Sequence, residues 1–276
     1  MNEKISFYSR PYPKNANYFD IIDTACEHGI SSIEGFNMLD FELPDKEAAR
    51  KIREYADSKN IVFSCFSVYI NLVGEDSDKM TERVKGYVDV AQILGSPFIH
   101  HTIANNFQDP EGVCAHRDEY FEKGLNAVRQ IYDYAAKKGI KAVYEEQGYI
   151  FNGMDGYRKF INAVDRNVGV VADMCNIYQA DGDIFEFIKE FSDRIVHVHI
   201  KNISLTDDNP NGLGMKTLGG KYMWEAQIPT GLVDIKKAVE LLKSIGYDGY
   251  YGIEYGASDD NSDCLRMALE FMDRIL

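Results

Sequence analysis

Residues 194–202 read Arg-Ile-Val-His-Val-His-Ile-Lys-Asn, which sets two imidazoles and an ammonium along one edge of an extended segment. Val196, Val198 and Ile200 alternate with His197, His199 and Lys201, the period-two pattern of a β-strand. Imidazoles in such a row suit metal ligation, proton transfer or hydrogen bonding to a substrate. Carboxylates end other apolar runs. Glu145-Glu146 follows Ala-Val-Tyr, Asp173 follows Val-Gly-Val-Val-Ala, and Glu254 follows Tyr-Tyr-Gly-Ile. His100-His101 and Glu34 hold comparable positions. Like charges brought close together are costly unless a cation or a proton separates them. Three carboxylates and one imidazole are a sound ligand set for a hard or borderline divalent ion, with room for water or substrate.

For these groups to meet, their segments must be neighbouring strands, and the chain has the rhythm for it. Strand patterns at 5–8, 30–36, 61–66, 97–102, 141–146, 168–173, 194–202 and 250–254 are each followed by a helical pattern. The helical stretches cover 18–28, 45–59, 78–94, 117–138, 155–164, 183–191, 233–244 and 261–276. Gly29, Gly95, Gly139 and Gly246 stand where helix C-caps belong. Alternation of this kind implies a parallel sheet, and eight units close a (β/α)8 TIM barrel, whose chemistry sits at the C-terminal ends of its strands. A doubly wound sheet is the competing fold; no Gly-x-Gly-x-x-Gly follows the first strand, which weakens it. The 276 residues suit a single barrel domain over 1–276, without linker or fixed-period repeat. Residues 203–230 read as a loop of the length used for lids and binding loops. Within it, Gly219-Gly220-Lys221-Tyr222 offers either a phosphate grip or plain flexibility. The sole tryptophan, Trp224, offers a pocket cover or a contact with a neighbouring subunit.

Composition narrows the function further. A formal charge of −14 repels a phosphate backbone, so nucleic acid is not the expected partner. With 45% hydrophobic residues a large core is available, yet no apolar run reaches the length of a membrane span and no signal segment opens the chain. Five scattered cysteines without a Cys-x-x-Cys suit reduced thiols and a cytoplasmic location.

Four pieces carry a family resemblance: Ala142-Val-Tyr-Glu145-Glu-Gln-Gly, Val170-Val-Ala-Asp173-Met-Cys-Asn176, His197-Val-His199-Ile-Lys-Asn202 and Gly246-Tyr-Asp-Gly-Tyr-Tyr-Gly-Ile-Glu254. On these the chain resembles the sugar phosphate isomerase/epimerase group of the xylose-isomerase-like barrels. That group holds ketose 3-epimerases, hydroxypyruvate isomerases, inosose isomerases and dehydratases, and a more distant abasic-site nuclease branch. The first half of the chain matches only in rhythm. The resemblance implies one divalent ion on Glu145, Asp173, His199 and Glu254, manganese foremost, with magnesium, cobalt and zinc as alternatives. It implies a small sugar or polyol ketone as substrate, and a homodimer. It also makes Glu145 and Glu254 the proton-moving pair of an isomerase or epimerase, working through a metal-held enediolate. The alternatives are an inosose-type dehydratase on the same site and a catalytically silent sugar-binding or partner barrel. The nuclease branch uses many histidines, whereas this chain has six and is strongly acidic.

Each residue also has a plainer reading. Asp173 could cap the next turn, and Glu254 could form a rim ion pair. Glu146 must face away from Glu145, toward the helices or a basic rim partner. His197 reads as a hydrogen-bonded core histidine one layer below His199. The substrate contacts expected are Asn176, Lys201, Glu34, Trp224 and one of His100 and His101, which point to opposite faces, His101 foremost. Asn176 stands where several relatives carry a substrate-binding histidine, and otherwise reads as a turn residue. Lys201 is otherwise a rim charge, and Glu34 otherwise orients a histidine or pairs at the surface.

Overall fold

The computed structural model describes residues 1–9, 16–37, 40–104, 110–254 and 261–276. The first half runs β1 (Ile5–Tyr8), α1 (Tyr18–Glu27), β2 (Ser32–Phe36), α2 (Lys46–Ser58), β3 (Val62–Val68), α3 (Ser77–Leu94), β4 (Phe98–His101), α4 (Pro110–Ala115) and α5 (Arg117–Lys137). The second half runs β5 (Lys141–Glu145), α6 (Met154–Val164), β6 (Gly169–Asp173), a 3-10 turn (Asn176–Ala180), α7 (Ile184–Glu190) and β7 (Ile195–Ile200). It continues through β8 (Asn202–Thr206), β9 (Met215–Lys216), β10 (Tyr222–Ala226), α8 (Ile235–Ser244), β11 (Tyr251–Ile253) and α9 (Asn261–Ile275).

Eight of these strands are buried along nearly their whole length, and a sheet buried on both faces must be wrapped by helices. They close into a parallel barrel in the order β1-β11-β7-β6-β5-β4-β3-β2, the (β/α)8 architecture expected from the alternation. Local chemistry fixes the ends of the helices. Asn17, Asp45 and Asp183 accept backbone N–H bonds as N-caps of α1, α2 and α7. Gly95 ends α3 at φ 74°, a left-handed value that a side chain resists, and Arg53 Nη1 donates to the carbonyl of Leu94 beside it.

Strand alternation divides the two sides of the barrel wall. Val198 and Ile200 join the main core under the helices. Inside the barrel, Cys65, Val143 and Val171 form a small apolar floor with Phe98 and Val196 packed against it. The next inward positions on the same strands are polar, which puts the ionisable groups above a dry plug and toward the C-terminal rim.

One expectation needs correction. Residues 203–230 are not a structureless loop, because β8, β10 and β9 form a three-stranded antiparallel sheet there. Tyr222 pairs with Thr206, Trp224 with Ser204 and Ala226 with Asn202. Ile203, Leu205 and Met223 supply the period-two apolar side that lets such strands pair. Gly219-Gly220 lies in the turn between β9 and β10, with Gly220 at φ 87°. The excursion starts and ends at one side chain. Asn202 Nδ2 donates to the carbonyls of Ile228 and Val233, each at 2.9 Å, and its Oδ1 accepts from Ile203 N and Val233 N, each at 2.9 Å. All five cysteines are free thiols. Among the described residues no helix is long and apolar enough to cross a membrane.

Candidate active site

His199 is the hub. It comes off β7 in register with Asp173 on β6 and Gly252 on β11. Its Nδ1 lies 2.9 Å from Glu145 Oε2, 3.7 Å from Asp173 Oδ2 and 3.7 Å from Glu254 Oε2. Its Nε2 lies 3.0 and 3.2 Å from the two oxygens of Glu34. So Glu145, Asp173, His199 and Glu254, drawn from four strand ends, converge on one point. Glu145, Asp173 and His199 each offer a ligand atom within 4.8 Å of the others. Asp173 uses its two oxygens differently. Oδ1 accepts from Cys175 N and Asn176 N, each at 2.8 Å, and caps the turn. Oδ2 faces the cluster and forms an ion pair with Lys201 Nζ at 2.9 Å. Lys201 Nζ also lies 3.2 Å from Glu254 Oε2.

Below this level Glu34 on β2 is fully buried. It meets His197 Nε2 at 2.6 Å and accepts from Ser67 Oγ at 2.5 Å. Ser67 in turn meets His100 Nδ1 at 2.9 Å, and His100 Nε2 faces Glu145 Oε1 at 3.7 Å. The Tyr8 ring lies 5.1 Å from that of His199. Gly252 leaves the space this stack needs, since a Cβ there would stand 3.0 Å from Glu34 Oε2 and 3.4 Å from His197 Nε2.

The electrostatics follow from that packing. Burial disfavours a charged His199, yet Glu34, Asp173 and Glu145 outweigh it and push the imidazole well above its ordinary range. Burial also opposes ionisation of Glu34, Glu145 and Asp173. The imidazoles beside Glu34 and Glu145, and Lys201 with His199 beside Asp173, nevertheless hold all three below the usual carboxylate range. In this buried cluster the carboxylates lean on His199 and Lys201 for positive charge. Three carboxylate oxygens and one imidazole nitrogen are donors of the kind that hold a divalent cation, and the Lys201 ammonium lies against the Asp173 oxygen on that side. Glu34 holding the far nitrogen of His199 is the carboxylate–histidine arrangement that orients metal-ligating imidazoles.

Some expected contacts fall elsewhere. His101 was expected at the substrate, but strand parity turns His100 inward instead. His101 Nε2 meets Tyr144 Oη at 2.9 Å and Nδ1 meets the carbonyl of Thr102 at 3.0 Å. Glu34 was expected to touch substrate; its oxygens are committed to His197, His199 and Ser67, which makes it a positioning residue. Asn176, Lys201 and Trp224 all line a cavity beside the cluster. Glu146 faces away from Glu145 and is fully buried, with neither oxygen hydrogen-bonded. Burial pushes its carboxyl well above the usual range. The phosphate grip is not supported, because the Asp181 carboxylate abuts Gly219 and would repel an anion. Ser67 was missed as a site residue. The signal for Ser67 is Cys65-x-Ser67 on β3, an inward pair that changes from apolar to polar where the other strands do.

Two cavities among the described residues adjoin the cluster. One, of about 30 Å³, is lined by Tyr8, Ser67, His100, Glu145, Gln147 and Glu254 among others. The other, of about 100 Å³, lies against the three-stranded sheet and shares Gln147 with the first.

The model of the xylose isomerase-like TIM barrel family matches residues 22–275. This chain belongs to that family. A curated relative, an inosose dehydratase of Lactiplantibacillus plantarum, is 26% identical over 219 residues, covering 74% of this chain and 71% of the relative. A xylose isomerase domain protein from Planctomyces limnophilus superposes with a TM-score of 0.79 at 18% identity, over 100% of this chain and 98% of the other. A xylose isomerase-like barrel from Mycobacterium smegmatis, solved in complex with magnesium, gives 0.73 at 18% over 99% and 96%. A 3-keto-D-glucoside 4-epimerase from E. coli gives 0.75 at 16% over 99% of each chain. At these identities the structural neighbours speak for the fold.

Proposed function

We propose that the protein is a divalent-metal-dependent isomerase or epimerase of a sugar or polyol ketone. Glu145, Asp173, His199 and Glu254 would hold the ion, and Glu145 and Glu254 would move the proton. The observation that carries this reading is the single nitrogen of His199 facing three carboxylate oxygens within 3.7 Å, beside a cavity lined by Glu145 and Glu254. A cation bound there would act as a Lewis acid, polarising a substrate carbonyl so that the adjacent C–H becomes acidic. Glu145 and Glu254 come from strands separated by β6 and β7, so a substrate lying over His199 has one carboxylate toward each side. One takes the proton beside the carbonyl and the other returns a proton from the opposite side, which inverts the centre. Return at the neighbouring carbon gives the isomer. Lys201 and His100, whose nitrogens face these carboxylates, can stabilise the developing oxyanion.

The inosose dehydratase relative favours a second reading, in which the same carbanion expels a β-hydroxyl. Elemental analysis followed by turnover of ketoses and inososes in heavy water separates the two. The isomerase reading expects about one metal per chain, removal of activity by a chelator, and deuterium on the carbon beside the carbonyl. Loss of water to an unsaturated ketone would make the dehydratase the correct reading. Turnover that survives chelation and exchanges no hydrogen would end both. Glu254→Gln should abolish exchange and leave the circular dichroism unchanged.

A further inference from the structure

The larger cavity has no role in the proton transfer just described, yet it is built like a binding site. One wall comes from the antiparallel excursion and is mostly apolar: Ile203, Met215, Met223 and Trp224, with Glu225 beside them. The opposite wall comes from the 3-10 turn after β6 and presents Asn176 and Gln179. Both amides are more than nine-tenths buried, and the side-chain nitrogen of each finds no hydrogen-bond partner. A buried N–H donor without an acceptor is costly, so two on one wall point to a ligand that brings oxygens. The cavity does not stand alone. Lys201 lies on its border with the carboxylate cluster, and Gln147 lines both chambers.

From this we infer that the substrate has two parts. The polyol ketone reacts over Glu145 and Glu254, and a second sugar ring, joined to it by a glycosidic bond, lies in the adjoining chamber. A pyranose matches walls of this kind, because its C–H face packs on indole and thioether surfaces while its hydroxyl oxygens accept from amide N–H groups at the edge. A free ketose or cyclitol would fill the first chamber and leave both orphan donors unsatisfied. The inference rests on the proposed function for the identity of the reacting ring, but the second chamber can be tested without turnover.

Trp224 is the sole tryptophan and lines this chamber, so its fluorescence reports occupancy directly. The purified protein would be titrated with maltose, cellobiose, trehalose and sucrose, and in parallel with glucose, myo-inositol and phenyl glucoside. At least one disaccharide should shift Trp224 emission saturably, at a concentration about ten-fold below that needed with glucose or myo-inositol. Gln179→Ala should weaken that disaccharide by about five-fold and leave the glucose and myo-inositol responses unchanged. Met223→Ala, a second variant on the opposite wall, should do the same. Equal responses to one ring and two would overturn the inference. So would tighter binding of phenyl glucoside that is indifferent to Gln179→Ala, which would assign the chamber to an aromatic aglycone. If the disaccharide preference holds while no sugar ketone exchanges hydrogen in heavy water, the proposed chemistry fails and the second chamber stands.

Discussion

His199 uses both ring nitrogens, and each faces carboxylate. Nδ1 looks up at Glu145, Asp173 and Glu254, while Nε2 looks down at Glu34. Glu34 therefore sets the ring's angle without touching the mouth. Glu34→Gln should cut metal retention on dialysis by about 10–100-fold, as loss of an orienting carboxylate does, with a melting temperature near that of the parent. Elemental analysis after dialysis reads the outcome, and unchanged metal content would remove Glu34 from its positioning role. His101 makes a prediction of a different kind. Burial, opposed by its bond to the Thr102 carbonyl, drives its imidazole down to about 3 from the ordinary 6.5. Between those values the unfolded chain binds a proton that the folded one refuses, so this group's share of stability is complete above 6.5 and is lost as pH falls toward 3. Denaturant midpoints measured across that window should fall less steeply for His101→Gln than for the parent. Parallel slopes would mean that His101 is not held neutral. The alternation around His197 and His199 was legible because Val and Ile separate them. At His100-His101 two identical residues stand side by side, and nothing in the sequence says which one the strand turns inward.

Among the elements, the strands and helices of the barrel were legible from punctuation: an N-cap Asp or Asn at one end, a Gly past the other, apolar runs between. The excursion of β8, β9 and β10 was not. Its strands are short, mostly polar outward and interrupted by Asp207-Asp208-Asn209-Pro210 and Gly219-Gly220, a composition that reads as loop. Pairing to each other rather than to the barrel gives them their order. Asn202 is the side chain on which that order depends, since it closes four hydrogen bonds between the start of the excursion and Val233. Asn202→Ala leaves buried carbonyls and amides unpaired and should cost about 3 kcal/mol in urea denaturation. Asn202→Asp keeps the acceptor and loses the donor, and should fall between. A silent alanine variant would show that water replaces the clamp.

At the scale of the molecule, eight alternations were enough to read a barrel, and four motif pieces at strand ends were enough to read its family. The second chamber was beyond the sequence. Asn176 and Trp224 read singly as substrate contacts, but that a 3-10 turn after β6 and a sheet after β7 line one chamber with Lys201 does not show in one dimension. The barrel and the chamber wall are separable in cost. Replacing residues 204–227 with a short Gly-Ser turn should lower the melting temperature by less than about 5 °C, because the two ends already meet at Asn202. The same replacement should erase the preference for a disaccharide over a single ring, read by calorimetry because Trp224 is removed with it. A collapse of the barrel would show that the wall is structural.

Because the strap leaves and re-enters the barrel at one clasp, it behaves as a cassette. Its length and lining can drift, or be exchanged between homologous chains, while the clasp and the ring of strands stay as they are. Selection for a new appended group would then act on some two dozen residues outside the reaction centre, and leave the chemistry beneath untouched.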